Sequence, residues 1–322
     1  MGRKINMKID GNSTLKEILN KKTLRIVSLS IIICVFSSLF LVSDSFYKSN
    51  LKGDKSSSHY SSENKSTFAN TKAIFPETIF ELKLPEADIK NDISSIGVPI
   101  LMYHNIDWWK DDSTELFKSL TIKPNDFDSQ MLYLYDNGYT PITLKELNLI
   151  WNNKEQMPSK PIVLTFDDGY IGVYHYAYPI LKKYKFKFVV FYITKFLNKY
   201  TLMYMSKNNL KEMLKSGLLE IGSHTIDHID LAKATKEDVC FEISKSKSDI
   251  KKYLDYDATS FCYPDGSYNN FSIETLKKFN YSMAVATKVQ GLAFPSQNHL
   301  LLKRIRIDGR ESISSFIAKV SK

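Results

Sequence analysis

The fold is decided by one segment, Pro161-Ile162-Val163-Leu164-Thr165-Phe166-Asp167-Asp168-Gly169-Tyr170. Apolar and β-branched residues in this segment lead directly to two adjacent carboxylates, and Gly169 allows the backbone to turn sharply after them. This order predicts a buried strand that carries Asp167 and Asp168 at its carboxyl end.

Apolar runs alternate with amphipathic runs from residue 98 onward. The apolar runs predict strands over residues 98–103, 162–166, 186–193, 218–221, 259–262, 282–286 and 304–307. The amphipathic runs predict helices over residues 124–137, 144–151, 173–184, 207–215, 235–254, 273–279 and 312–320. Strands that alternate with helices in this way indicate an α/β fold with a parallel sheet, and about seven such units favour a closed barrel over an open sheet.

Composition separates the amino-terminal segment from the rest of the chain. The net charge is +9, but the first 25 residues alone carry a balance of +5, so the remaining 297 residues hold only +4. A basic surface for nucleic acid is therefore not expected. The chain is 43% hydrophobic over 322 residues, which is enough to bury a sizeable core.

Residues 26–43 are uncharged and follow Lys21, Lys22 and Arg25. A helix of this length comes close to crossing a hydrocarbon layer of roughly 30 Å, and basic residues keep the preceding end in the cytoplasm. We expect a cytoplasmic leader over residues 1–25, a single membrane-spanning signal anchor over 26–43, and everything beyond it outside the cell. A cleaved signal peptide is the alternative, but the leader is long and lacks an evident small-x-small cleavage site.

The segment between this anchor and the predicted barrel has a different composition. Residues 44–75 are rich in Ser, Asn and Lys and contain little that could support a core, and residues 76–97 mix Pro76 and Pro85 with isolated apolar residues in an extended approach to the domain. We therefore expect a flexible extracellular tether over 44–97, followed by a folded α/β domain over 98–322.

Polar residues with metal-binding or acid–base chemistry follow four of the predicted strands. They are His104, Asp167, Asp168, His224 and Asp265. Because the carboxyl ends of parallel strands lie at one end of a barrel, these side chains are expected to meet there. A second histidine, His228, follows His224 by four residues, and two histidines with a carboxylate form a ligand set typical of zinc.

Each of these features is common when it occurs alone. An Asp-Asp-Gly segment usually forms a turn, and two histidines four residues apart often occur by chance, but their joint placement at strand ends favours a metal site. Trp108 and Trp109 are consistent either with a sugar-stacking platform or with a structural clamp of the loop. Cys240 and Cys262 lack Cys-x-x-Cys spacing, so neither a cysteine zinc site nor a disulfide framework is expected, and a single Cys240–Cys262 bridge is the alternative left open.

With these residues assembled, the chain resembles the polysaccharide deacetylase family of metal-dependent carbohydrate esterases. The resemblance rests on Thr-Phe-Asp-Asp-Gly at residues 165–169, on His224-Thr225-x-x-His228, and more weakly on residues 261–268. Residues 99–104, Pro-Ile-Leu-Met-Tyr-His, resemble the branch that contains exported poly-N-acetylglucosamine deacetylases. The resemblance covers about two-thirds of the chain and implies a distorted (β/α) barrel.

The resemblance also implies roles for single residues. Asp168, His224 and His228 would hold one divalent ion, with Zn²⁺ expected before Co²⁺ or Ni²⁺. Asp167 would be the general base, His104 the general acid, and the backbone N–H of Asp265 an oxyanion donor. The substrate wall would include Tyr263, Trp108 and Trp109.

The chain departs from the family pattern at three places, one of which is the late motif that supplies an Asp and a Trp and is not recognisable here. Cys262 stands where the family usually carries the arginine that holds the catalytic aspartate, and Arg304 or Arg306 are the candidates to replace it. The usual late Leu-x-His, which supplies the general acid, is absent near the carboxyl terminus, which is why His104 is assigned that role.

The resemblance implies removal of N-acetyl groups from an extracellular N-acetylglucosamine polymer, with poly-N-acetylglucosamine as the first expectation. Peptidoglycan and chitooligosaccharides are alternative substrates. An alternative of another class is a catalytically inactive, membrane-tethered module that binds glycans, which the missing arginine at position 262 leaves open.

Overall fold

A computed structural model describes residues 93–321 of the protein, without the side chains of Lys288 and Val289. The strands of this region are β1 (Ile100–Tyr103), β2 (Asn105–Ile106), β3 (Thr121–Ile122), β4 (Thr140–Pro141), β5 (Pro161–Phe166), β6 (Phe188–Tyr192), β7 (Leu219–Ser223), β8 (Ser260–Cys262), β9 (Met283–Gln290) and β10 (Leu302–Arg306). Seven of them, β1 and β5 to β10, pair in parallel, and β1 closes the ring by pairing with both β5 and β10. The predicted barrel of seven parallel strands is confirmed.

The remaining strands are short and lie outside the ring. β4 pairs with the first two residues of β5, Pro161 and Ile162, and β2 pairs with β3 as a separate two-stranded sheet. The helices are α1 (Glu115–Leu120), α2 (Pro124–Asp136), α3 (Leu144–Trp151), α4 (Tyr178–Tyr184), α5 (Lys207–Lys215), α6 (Lys236–Leu254), α7 (Asn270–Lys278) and α8 (Ile313–Val320). A π-helical turn at Val173–Ala177 leads into α4.

The barrel strands are apolar on both faces because both faces are covered. Alternate residues of β1 and β5, such as Ile100 and Val163, belong to one buried cluster together with apolar residues of α3. Their neighbours Leu101 and Leu164 belong to a second cluster together with residues of α2 and α4. This division follows from the two-residue period of side chains in a strand. Because both faces of the strands are filled by apolar side chains, polar side chains cluster at the carboxyl end of the barrel.

The predicted leader, membrane-spanning anchor and most of the tether lie outside the described residues. Between residues 93 and 321, no helix has the length and apolar character needed to cross a bilayer. The last five residues assigned to the tether are described, and they include a 3₁₀ helix at Ile93–Ser95 whose Ile93 packs against the cluster that contains α3. Packed structure therefore extends at least to Ile93, ahead of the predicted boundary at residue 98.

Candidate active site

The end of β5 directs two neighbouring carboxylates to different places. The backbone N–H of Asp167 donates to the carbonyl of Tyr103 at 2.9 Å, so Asp167 still follows the strand. Asp168 and Gly169 then adopt left-handed backbone conformations, with φ of 69° and 86°. A side chain on Gly169 would collide with the ring of Tyr192, so this turn requires glycine. The turn separates the directions of the two acids.

Asp168 meets the two histidines that follow β7. Its Oδ1 lies 3.3 Å from Nε2 of His224 and 3.5 Å from Nε2 of His228. One ligand atom from each residue falls within 4.8 Å of the others, a spacing that could hold a metal ion. The structure thus brings together the three residues predicted as metal ligands.

Hydrogen bonding prepares His224 to bind through Nε2. Its Nδ1 lies 2.8 Å from the carbonyl oxygen of Cys262, which can only accept a hydrogen bond, so Nδ1 carries a proton. The lone pair of Nε2 is therefore the one that can bind a metal ion. Asp167, His224 and Cys262 form a second cluster of similar spacing. In that cluster, both carboxylate oxygens of Asp167 already accept hydrogen bonds from Arg304. The group of Asp168, His224 and His228 is therefore better suited to hold a metal ion.

The three ligands Asp168, His224 and His228 suit a catalytic metal site rather than a structural site in which all positions are filled by protein. Two imidazoles and one carboxylate leave at least one coordination position open. The side chain of His224 is only 3% exposed, whereas that of His228 is 29% exposed, so the set is reached from the His228 side. Burial lowers the pKa of His228, which favours the neutral ring that a ligand must have. For His224, burial alone would lower the pKa, but Cys262 and Asp168 outweigh it and raise that pKa, so binding of an ion would displace a proton from Nε2.

Asp167 is held by an arginine from β10, which is separated from β5 only by β1 in the ring. Arg304 on β10 donates from its two terminal nitrogens to the two carboxylate oxygens of Asp167, each at 2.7 Å, and the arginine is 1% exposed. Such paired, charge-assisted bonds are among the strongest in proteins. Burial alone would raise the pKa of Asp167, but the charge and hydrogen bonds of Arg304 outweigh it and hold that pKa well below its usual value. Asp167 is therefore ionised throughout the physiological range.

The two predicted residues that complete the site lie near this centre. His104 follows β1 and is close enough to feel the charges of Asp167 and Asp168, although burial dominates and lowers its pKa. Asp265 follows β8, adopts a left-handed conformation with φ of 53°, and its carboxylate acts electrostatically on His228. All six polar residues predicted at strand ends or after them, His104, Asp167, Asp168, His224, His228 and Asp265, thus lie at one end of the barrel.

Comparison with known proteins agrees with this arrangement. A family model described as polysaccharide deacetylase matches residues 154–284. YxkH of Bacillus subtilis (strain 168), which is assigned as a polysaccharide deacetylase, is 34% identical over 223 residues, covering 69% of this chain and 76% of that relative. The chain belongs to the polysaccharide deacetylase family. Enzymes of this family hydrolyse the amide bonds of N-acetyl groups, and this chain is a hydrolase of that class.

Two further proteins resemble this deacetylase. The poly-beta-1,6-N-acetyl-D-glucosamine N-deacetylase of Staphylococcus aureus (strain MRSA252) is 30% identical over 206 residues, covering 61% of this chain and 70% of that relative. The solved structure of the Streptococcus pyogenes deacetylase PplD in complex with acetate superposes with a TM-score of 0.64 at 30% identity, covering 70% of this chain and 98% of that chain.

The arginine that pairs with Asp167 lies on β10, whereas the family pattern places it at position 262 on β8. Cys262 on β8 occupies the usual position of the arginine, and its Sγ lies 3.5 Å from Oδ2 of Asp167 and 3.2 Å from a terminal nitrogen of Arg304. Arg306, the other candidate, instead donates to Oγ of Ser119 at 3.2 Å. The structure therefore selects Arg304 as the partner of Asp167.

Only some of the residues predicted to contact the substrate have accessible side chains. Tyr263 is fully buried, and its hydroxyl donates to the carbonyl of Leu300 at 3.0 Å, so its prediction as a substrate contact is wrong. Tyr263 faces outward from β8 and packs with Phe261, because side chains two residues apart in a strand share a face.

The two tryptophans of the deacetylase have separate environments. The indole N–H of Trp109 donates to the carbonyl of Thr121 at 3.0 Å, and Nζ of Lys123 lies 3.8 Å from the ring centroid, so Trp109 fastens its loop. Trp108 is 53% exposed. Of the three predicted wall residues, Trp108 has the ring that is free to stack on a sugar.

Proposed function

We propose that this enzyme removes N-acetyl groups from poly-N-acetylglucosamine outside the cell and releases acetate. The observation that carries the proposal is the pairing of Asp168, His224 and His228 with an ionised Asp167 beside them. The similarity to the S. aureus poly-beta-1,6-N-acetyl-D-glucosamine N-deacetylase supports the choice of polymer. The predicted anchor at residues 26–43 supports the location, because basic residues precede it.

Asp168, His224 and His228 would hold the metal ion, which we propose to be Zn²⁺. An ion bound there supplies Lewis-acid chemistry, since it polarises the acetyl carbonyl and lowers the pKa of water. Asp168 would balance part of the charge of the ion, and the imidazoles of His224 and His228, unprotonated at Nε2, would fix its position. The more exposed side of His228 leaves the approach for the acetylated sugar.

Asp167 would act as the general base and take a proton from the attacking water. Its carboxylate needs to stay ionised in a buried place, and Arg304 supplies the opposite charge that makes this possible. The water oxygen then bonds to the acetyl carbon, and the backbone N–H of Asp265 donates to the carbonyl oxygen as negative charge develops there. Cleavage of the carbon–nitrogen bond releases acetate.

His104 would supply the proton that the departing amine needs, because an unprotonated sugar amine is a poor leaving group. The inactive glycan-binding alternative rested on the missing arginine at position 262. Arg304 provides that contact with Asp167, so the base retains its partner and the argument for an inactive site is removed.

The test of this proposal is acetate release from defined substrates by the full-length protein. Release from poly-β-1,6-N-acetylglucosamine is expected to stop after treatment with a chelator and to return when Zn²⁺ is added. Peptidoglycan and chitooligosaccharides are expected to yield acetate more slowly at equal concentration of acetylated residues. Faster release from either of them would replace the proposed polymer, and release unaffected by the chelator would contradict the metal site.

Replacement of His104 by Ala is expected to reduce kcat/KM by at least ~10²-fold, the scale usual for an acid–base residue. Burial lowers the pKa of His104 below its ordinary value of 6.5, and an acid must be protonated to act. The kcat/KM of the wild-type enzyme is therefore expected to fall as the pH rises through a value below 6.5, and this limb is expected to vanish in the variant. Near-wild-type activity of His104→Ala would assign the proton to another donor.

A further inference from the structure

The loop that carries the two histidine ligands has an unfavourable backbone. Thr225 and His228 adopt left-handed conformations, with φ of 64° and 59°. Such a conformation is costly above all for a β-branched residue such as Thr225, is uncommon even for histidine, and persists only where the surroundings hold it. The position of His228 relative to Asp168 therefore depends on what fixes this loop.

Every backbone N–H from residue 225 to residue 228 donates to a side-chain oxygen. Thr225 donates to Oγ of Ser223 at 3.2 Å, and His228 donates to Oγ1 of Thr225 at 2.9 Å. The two residues between them, Ile226 and Asp227, donate to one oxygen of Glu242, at 2.7 and 3.0 Å. Glu242 is thus the acceptor for both N–H groups in the middle of the loop, while the carbonyls of Thr225 and Ile226 accept from the backbone N–H groups of Thr194 and Lys195 at 3.1 and 3.2 Å.

Glu242 reaches the loop from α6, and the same face of that helix supports the start of the loop. Glu242 is only 5% exposed, so its two hydrogen bonds are shielded from water and are stronger than they would be at the surface. One turn further along α6, Oγ of Ser246 lies 2.7 Å from the hydroxyl of Ser223, which donates to it. The helix therefore holds the loop at two points.

We propose that Glu242 is a positioning residue for the metal site. By accepting from two successive N–H groups, its carboxylate holds the strained loop in the conformation that sets His228 beside Asp168 before an ion binds. This inference rests on the proposed metal site, and it adds a residue outside the motifs that contributes to ion affinity without touching the ion.

The test compares two substitutions in the full-length protein. Glu242→Gln keeps an oxygen that can accept both bonds, whereas Glu242→Leu removes the acceptor at similar size. The dissociation constant for Zn²⁺, measured by competition with a chromophoric chelator, is expected to rise about 10- to 100-fold in Glu242→Leu, as for other partners of metal ligands. Glu242→Gln is expected to lie between this variant and the wild type. Excess Zn²⁺ is expected to restore the activity of Glu242→Leu, because the reacting groups are unchanged.

Asp249→Asn provides a matched control. Asp249 is also a buried acid of α6, but it pairs with Lys245 on its own helix. This control is expected to lower the melting temperature of the metal-free protein without changing Zn²⁺ affinity. Wild-type affinity in Glu242→Leu, or an equal loss of affinity in Glu242→Leu and Asp249→Asn, would overturn the inference. Failure of the wild-type protein itself to bind Zn²⁺ would instead contradict the metal site on which the inference rests.

Discussion

Replacement of Asp167 by Asn is expected to remove nearly all turnover while leaving the metal content unchanged. Asparagine is close to aspartate in shape but cannot take a proton from water, so at least ~10²-fold and up to ~10⁴-fold in kcat is lost. The ligand set of Asp168, His224 and His228 is untouched by this change. Acetate release and metal content measured on the same preparation test both parts of the prediction.

The matched variant is His228→Ala, which removes a ligand and is expected to lose both bound metal and activity. Retained metal in Asp167→Asn also shows that the protein is folded, which matters because the substitution leaves Arg304 without its buried counter-charge. Equal metal loss in the two variants would contradict the separation of base and ligand roles.

Replacement of Arg304 by Cys is expected to impair both activity and stability. Without the guanidinium, burial is the dominant influence on Asp167 and raises the pKa of its carboxyl, so the base is protonated at higher pH than in the wild type. The acidic limb of the kcat/KM profile is therefore expected to move to higher pH. Breaking a buried ion pair by removing one partner costs about 3–5 kcal/mol, which denaturant unfolding can measure.

An exchange of two residues makes this prediction sharper. The variant Arg304→Cys with Cys262→Arg keeps the same side chains but returns the arginine to the position usual in the family. Since Sγ of Cys262 already lies 3.5 Å from Asp167, an arginine at position 262 starts beside the carboxylate it must reach. The exchange is expected to recover at least about tenfold of the lost activity, equal to about 1.4 kcal/mol of transition-state stabilisation. Wild-type activity of Arg304→Cys alone would show that Asp167 needs no arginine.

The barrel strands and long helices could be predicted because their sequence patterns are strong. Six of the seven barrel strands begin and end within two residues of their predicted bounds, since most buried parallel strands are continuous apolar runs, whereas β9 continues to Gln290, four residues beyond its predicted end. β2, β3 and β4 were missed because two residues are too few to form a pattern. α1 was missed because Leu116 and Phe117 are exposed and the helix has no apolar stripe. Its one available signal was Thr114, whose side chain accepts from the N–H of Phe117 as an N-cap.

The site could be predicted as far as residue types at strand ends allow. Arg304 and Arg306 lie two residues apart on one strand and share a face, so only the relative height of β10 and β5 in the barrel decides which one meets Asp167. The burial of Tyr263 could have been inferred from its position two residues after the apolar Phe261. Glu242 left a fainter signal, an acid on the apolar face of α6 between Val239 and Ile243.

The central claim is that Asp168, His224 and His228 bind one catalytic metal ion next to Asp167. It is tested most directly by diffraction from crystals soaked in Zn²⁺, with data collected on both sides of the zinc absorption edge. A single anomalous peak within about 2.0–2.2 Å of Nε2 of both histidines and of a carboxylate oxygen of Asp168 is the expected result. No peak at that position under saturating Zn²⁺, or a peak held by other residues, would contradict the account.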